Sequence, residues 1–206
     1  MKVLMINGSP HKNGCTYTAL SEVAGKLEEH GIASDILYLG TAPVAGCIAC
    51  GKCGETGHCV FDDKVNEVIA KLDDYGAIVV GSPVYYAGPS GQICAFLDRL
   101  FYAGSDKMAG KFGASVVSCR RGGASAAFDR LNKYFTISNM PVVSSQYWNQ
   151  VHGNTPEEVR KDTEGLQTMR TLGENLAWLM KCAEAGRDAG VPLPQYEPGI
   201  ATNFIR

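Results

Sequence analysis

Excess charge of either sign is missing from this chain: 19 Lys and Arg stand against 21 Asp and Glu, a net charge of −2. General binders of nucleic acid or of anionic membranes need a basic field, so both classes are excluded as expectations. No apolar run approaches the length of a membrane span. The start, MKVLMINGSP, has one lysine and a short apolar stretch that runs straight into a loop, so no signal peptide is expected and the cytoplasm is the expected setting. Internal repeats and linkers are also lacking, and one domain is expected over residues 1–206. Neither G-x-G-x-x-G nor G-x-x-x-x-G-K-[ST] occurs, which removes the dinucleotide fingerprint and the P-loop.

What the chain does have is cysteine. Of its eight, Cys47, Cys50, Cys53 and Cys59 fall in the stretch CIACGKCGETGHC, within an expected loop at 43–61. Clustered cysteines in a reducing compartment point to metal or redox work rather than to a disulfide framework.

Apolar runs alternate with helical periodicity. KVLMIN (2–7), ASDILYL (33–39), AIVVGSPVYY (77–86), KFGASVVSC (111–119) and MPVVSSQYW (140–148) are expected strands. Leu20, Val23, Ala24 and Leu27 make one face of a helix that Gly31 stops. Asp62 or Asp63 can cap the helix KVNEVIAKLDDYG, and GQICAFLDRLFYAG is the next. TPEE (155–158) is a capping box with proline at the first helical position, opening one helix to about Gly186. That helix and a proline-rich tail make up 155–206. Five strands alternating with helices predict an α/β domain with a parallel sheet. Ligands bind beyond the carboxyl ends of such strands. The loops after the first four strands, the cysteine loop included, are therefore expected to share one rim.

The first of these loops, GSPHKNGCT, offers the hydroxyls of Ser9 and Thr16 and backbone N–H groups that open a helix. That combination suits a phosphate monoester; a plain strand-to-helix turn is the other reading. GSPHKNGCT followed by GSPVYYAGPSGQICAFLDR resembles the NADPH-dependent FMN reductase branch of the flavodoxin-like superfamily, over the chain to about residue 150. The resemblance implies a flavodoxin-like three-layer sandwich with a five-stranded parallel sheet, in strand order 2-1-3-4-5. It implies FMN phosphate contacts from Ser9, Lys12, Asn13, Cys15 and Thr16, and ring contacts from Pro83, Val84, Tyr85 and Tyr86. A third ring-side loop, Ser118 to Gly123, brings in Arg120 and Gly122. A homodimer or homotetramer is implied too, with NAD(P)H as donor. Aromatic side chains at a strand exit suit a flat tricyclic ring.

The thiol spacing, C-x2-C-x2-C-x5-C, lets successive thiolates converge on one centre, as in bacterial ferredoxin runs. Structural zinc more often uses two close pairs held apart, and two disulfides in so short a stretch would be strained. The spacing also resembles the compact motif of the iron–sulfur flavoproteins of the same family, which implies that Cys47, Cys50, Cys53 and Cys59 ligate a 4Fe–4S cluster. An electron-transfer flavoprotein served by NAD(P)H or ferredoxin is then the expected function. A cluster-free FMN or quinone reductase and a non-enzymatic thiol redox sensor stand as alternatives. Cys94 and Cys182 read as small buried hydrophobes, and Cys119 as packing or a rim residue. Arg120 and Arg121 read as solvated charges or as contacts to an oxyanion. Asp98 and Arg99 read as a helix-surface or subunit contact, His152 as a cap or solvent residue, and His58 as a tuner of a cluster through a hydrogen bond. Trp178 and the tail read as parts of a dimer interface. No Ser-His-Asp or paired-carboxylate arrangement stands out, which fits chemistry carried by a cofactor.

Overall fold

The computed structural model describes residues 2–202 and Phe204. In chain order, β1 (Lys2–Asn7) leads to α1 (Cys15–Glu29) and β2 (Ala33–Tyr38). A long connection carrying the one-turn α2 (Cys53–Thr56) reaches α3 (Lys64–Ile69), β3 (Tyr75–Tyr85) and the two-residue β4 (Gly88–Pro89). Then come α4 (Gly91–Ala103), β5 (Phe112–Cys119), α5 (Ala124–Ile137), β6 (Gln150–His152), α6 (Pro156–Val159) and α7 (Thr163–Asp188). No described helix is long and apolar enough to cross a membrane.

The strands order as β2-β1-β3-β5-β6, all parallel, with β4 folded back antiparallel on β3. This is the expected order once the small β4 is counted. Because both sheet faces are covered, successive side chains alternate between two cores. Leu4, Ile6, Ile78, Val80 and Val117 pack with α3, α4 and α5, while Val3, Met5, Val79 and Val116 pack with α1 and α7. Parallel register brings Asn7, Pro83, Ser118 and His152 to the carboxyl ends of neighbouring strands.

Two expected elements differ. Residues 140–148 are not a strand. Gly113 pairs with Val142 in an isolated bridge, donating to Pro141 O at 2.9 Å and accepting from Val143 N at 2.8 Å. The chain then loops out, with Ser145 Oγ 2.6 Å from Tyr147 O and 2.7 Å from Asn149 Oδ1, and pairing resumes at Gln150. A serine hydroxyl offering the backbone a local partner competes with the sheet ladder. The helix from Thr155 is also broken: Asp162 accepts from Gly165 N with Oδ1 (2.9 Å) and from His152 N with Oδ2 (2.7 Å), and so starts a new helix, α7. Asp63 caps α3 as expected, but that helix ends at Ile69, and Tyr75 and Gly76 belong to β3. Cys182, expected buried, is exposed on α7.

At the amino end of the sheet the Tyr75 hydroxyl donates to Asp35 Oδ2 at 2.9 Å, and Lys2 Nζ lies 3.3 Å from the same oxygen. Tyr75, and after it Lys2, hold the Asp35 carboxyl below its ordinary range. Burial and then the Asp35 carboxylate push the Tyr75 hydroxyl up to about 12. Asp35's contribution to stability is complete above the ordinary carboxylate value of about 3.9 and is lost as pH falls through its lower folded value. Tyr75→Phe, with Asp35 half exposed, is expected to cost under about 1 kcal/mol at neutral pH. The gap from the parent should close toward about pH 2 in paired urea denaturation curves.

Candidate active site

The first loop is held from three sides. Asn7 Oδ1 accepts from Ser9 N (3.1 Å) and Asn7 Nδ2 donates to Lys12 O (3.0 Å). Ser9 Oγ accepts from His11 N (3.1 Å), and the Tyr38 hydroxyl donates to Pro10 O (2.6 Å). Ser90, which caps α4, donates from its hydroxyl to Gly8 O (2.8 Å). The loop delivers the chain to an α1 whose N-cap, Gly14, supplies no side-chain acceptor and whose first turn has no acidic residue. The first-turn amides of Cys15 and Thr16 have no partner within the helix, and the helix dipole adds positive potential there. Gly81 permits the close approach of α1 to β3: a Cβ at that position would lie 2.8 Å from both Leu20 Cδ1 and Thr16 Cγ2. Thr16 Oγ1 and Ser118 Oγ meet at 2.9 Å, joining the first and third loops.

From this junction an open cleft of about 220 Å³ runs along the rim. Ser9, Cys15, Thr16, Pro83, Val84, Tyr85, Ser118 and Arg120 of the expected set line it, together with Cys119. Lys12 and Asn13 line the adjoining opening, which shares His11, Cys15 and Asn154 with the cleft. Burial raises the Cys15 and Cys119 thiols above their ordinary range, and Cys15 Sγ contacts Gly153 O at 3.6 Å. Tyr86 is fully exposed and does not line the cleft. It forms with Ala87 the two-residue turn between β3 and β4, at φ of 49° and 59°. Such a turn favours Asn and Gly, so here it holds two strained residues at the rim. Gly122 and Gly123 also stay off the lining; Gly123, at φ 88°, packs against Ala87 and Val84 and fixes the hairpin to the third loop. His11, Gly153 and Asn154 are lining residues that sequence reasoning missed. The HGN triplet that ends β6 could have exposed the last two had the strand been placed at 150–152.

The cysteine loop does not stay on this rim, contrary to expectation. It leaves β2 and descends the outside of α4: Gln92 Nε2 donates to Gly40 O (3.0 Å) and Ala42 O (3.3 Å), and Arg99 Nη1 to Ala45 O (3.3 Å). Those two side chains are seven residues apart, about 10 Å along a helix. The four thiols, all free, border one apolar pocket with Phe61, Arg99, Tyr102 and Ala103, on the flank of the molecule. Left-handed backbone at Ala49, Gly51 and Gly57 wraps the loop around that pocket. Asn66 fastens its end, accepting from Cys59 N (2.8 Å) and donating to Cys59 O (2.9 Å) and Phe61 O (3.1 Å). Among the described residues no three His, Cys, Asp or Glu side chains come close enough together to hold a metal ion. The donor set still fits a four-thiolate iron centre, since all four sulfurs belong to residues lining one pocket.

Arg99 is not a surface residue. Its side chain is wholly buried and makes a forked pair with Asp63 at 2.7 and 2.8 Å. Burial alone would raise the Asp63 carboxyl, but Arg99 and the Val65 amide hold it below the usual range. The neighbouring Asp98 instead accepts from the Tyr134 hydroxyl. His58 Nδ1 pairs with Thr56 O (2.9 Å); hydrogen bonds to the loop's sulfurs come instead from Arg99, whose Nε donates to Cys59 Sγ at 3.2 Å, and from Ala49 N, which donates to Cys47 Sγ at 3.5 Å. His152 lies with its ring 3.7 Å from Asp162, the residue that caps α7.

The sequence model of the NADPH-dependent FMN reductase family matches residues 1–155. An iron-sulfur flavoprotein of Methanocaldococcus jannaschii is 31% identical over 191 residues, covering 88% of this chain and 98% of that protein. One from Methanosarcina thermophila is 29% identical over 193 residues, covering 91% and 100%. A solved flavodoxin from the domain Archaea superposes with a TM-score of 0.60 at 18% identity, over 88% of this chain and 99% of that one, and the fold is flavodoxin-like.

Proposed function

The chain belongs to the NADPH-dependent FMN reductase family, and on that premise we propose that this FMN-dependent oxidoreductase is an iron–sulfur flavoprotein, passing electrons between a 4Fe–4S cluster on Cys47, Cys50, Cys53 and Cys59 and FMN in the rim cleft. The observation that carries the proposal is the presence, in one chain, of an uncapped helix N-terminus opening onto a rim cleft and of four free thiols around one apolar pocket. Its relatives named iron-sulfur flavoproteins lend it further support.

In this reading Ser9, Thr16 and the amides that open α1 hold the phosphate, with Lys12, Asn13 and Cys15 beside them. Pro83, Val84 and Tyr85 make one wall for the ring, and the Ser118–Gly123 loop with Arg120 makes the other. When bound, FMN supplies both hydride and single-electron chemistry, which no side chain here offers. The protein's own part is to orient the ring against the β3 exit, to keep water from its buried edge, and to hold the thiols on a separate flank. Ile48, Val60 and Tyr102 are exposed around those thiols, a face suited to a protein donor such as a ferredoxin, while the open rim suits NAD(P)H. Eight free thiols call for a reducing compartment, the cytoplasm. Exposed Trp148 and Trp178 suit a homo-oligomer contact.

Anaerobic purification followed by iron, sulfide, zinc and flavin analysis tests the proposal. About four iron and four sulfide per chain are expected with FMN, as for a cluster held by four thiolates. Stoichiometric zinc without sulfide, or thiols with no metal, would exclude the cluster. Assays with NADH, NADPH and reduced ferredoxin should then give flavin reduction by at least one donor; none would favour a sensor.

A further inference from the structure

Arg99 uses every donor it has on the cysteine loop and on Asp63, the cap of the helix that follows it. A guanidinium carries about five N–H groups. Nε goes to Cys59 Sγ (3.2 Å), Nη1 to Ala45 O (3.3 Å) and Asp63 Oδ2 (2.7 Å), and Nη2 to Phe61 O (3.2 Å) and Asp63 Oδ1 (2.8 Å). The Phe61 ring closes over the group at 4.9 Å. These contacts lie on both sides of the thiol set, Ala45 ahead of Cys47 and Phe61 and Asp63 beyond Cys59. One buried cation therefore ties both ends of the loop to α4 before any metal arrives. A buried arginine is costly without a partner, and among the described residues this one has a single carboxylate to balance it. Asp63 therefore sets how much of the guanidinium's charge Cys59 experiences.

We infer that Arg99 is a positioning residue for the thiol centre, closing the loop around the four cysteines and favouring extra negative charge at Cys59. The inference rests on the four-thiolate reading above. Hydrogen bonds and charge at ligating sulfurs set the potential of such centres, and reduction adds an electron to the centre. The arginine accordingly stabilises the reduced form, and Asp63 moderates it.

The test is redox titration of the holoprotein, with the cluster followed by electron paramagnetic resonance and the flavin by absorbance in the same sample. For Arg99→Met, the reduced-to-oxidised ratio of the cluster at fixed ambient potential should fall about tenfold, equivalent to about 59 mV for one electron. For Asp63→Asn, which unmasks the arginine, the ratio should rise. The flavin should not move in either. A purely structural strut would loosen in both variants and shift both the same way or not at all, and either result overturns the tuning role. Should Arg99→Met fail to fold, Arg99→Lys keeps the charge but lacks the planar fork. In that variant the ratio should stay above half the parent's, and a tenfold fall would overturn the inference.

The loop-closing role is measured separately on chelator-treated protein, by mass-resolved iodoacetamide labelling. Arg99→Lys should speed labelling of Cys59 about tenfold relative to Cys182, the exposed internal reference; an unchanged rate overturns it. If the parent protein holds no iron or sulfide, the cluster reading fails, while the labelling result still decides whether Arg99 closes the loop.

Discussion

Asn13→Asp should weaken FMN binding about a hundredfold, a change of about 2.7 kcal/mol. Asn13 is exposed beside the opening of α1, where no acidic residue now stands in the first turn. A carboxylate there favours the helix itself, so the fold should be retained. It would also meet the incoming phosphate dianion at close range and occupy the positive end of the dipole. Losing one charge-assisted contact costs about 1.5–3 kcal/mol, and repulsion adds to it. Riboflavin, which has the ring but no phosphate, should lose less than about threefold. Fluorescence titration of both ligands against both proteins makes the comparison. Equal losses would place the effect in the ring wall and remove the phosphate role of the first loop.

Gly123→Ala should lower Tm by about 6–12 °C and weaken FMN binding at least about tenfold. The residue sits at φ 88° at the start of α5, where an added Cβ would lie 2.8 Å from Ala87 Cα and 3.1 Å from Val84 Cγ1. Left-handed backbone costs a non-glycine residue about 1–2 kcal/mol. Overpacking against a main-chain atom, which cannot rotate away, costs about 1–3 kcal/mol more. The turn at Tyr86 and Ala87 is itself strained and has little give. Displacing it moves Val84 and Tyr85, one wall of the cleft. Scanning calorimetry and flavin titration read the two effects. A variant with unchanged Tm would show that the hairpin yields freely.

The rim was legible in the sequence because its signals are local. A buried apolar run leading into Gly-Ser-Pro appears twice, at Gly8 and Gly81, and parallel pairing of β1 with β3 sets the two stretches side by side. The course of the cysteine loop was not legible, because a connection without periodicity has no pattern to extrapolate. It is set by two polar side chains on one face of α4, Gln92 and Arg99, two helical turns apart. Charged residues are almost never fully buried unless paired, and Asp63, the partner of Arg99, lies far away in sequence. The seven-residue spacing of those side chains beside Phe96 and Ala103 was the one available signal. Likewise, nothing in MPVVSSQYW announces that a serine will close a turn on itself and delay the edge strand to Gln150. That delay is also why Gly153 and Asn154 were missed at the cleft.

Titration of flavin-free protein with FMN under anaerobic conditions addresses the cofactor cleft most directly. The expected result is saturable binding of about one FMN per chain, of micromolar affinity or tighter, with the flavin fluorescence quenched against the β3 wall and the affinity falling in Asn13→Asp. A chain that shows no affinity for FMN, or binds riboflavin and FMN equally, would contradict the placement of the phosphate at the opening of α1.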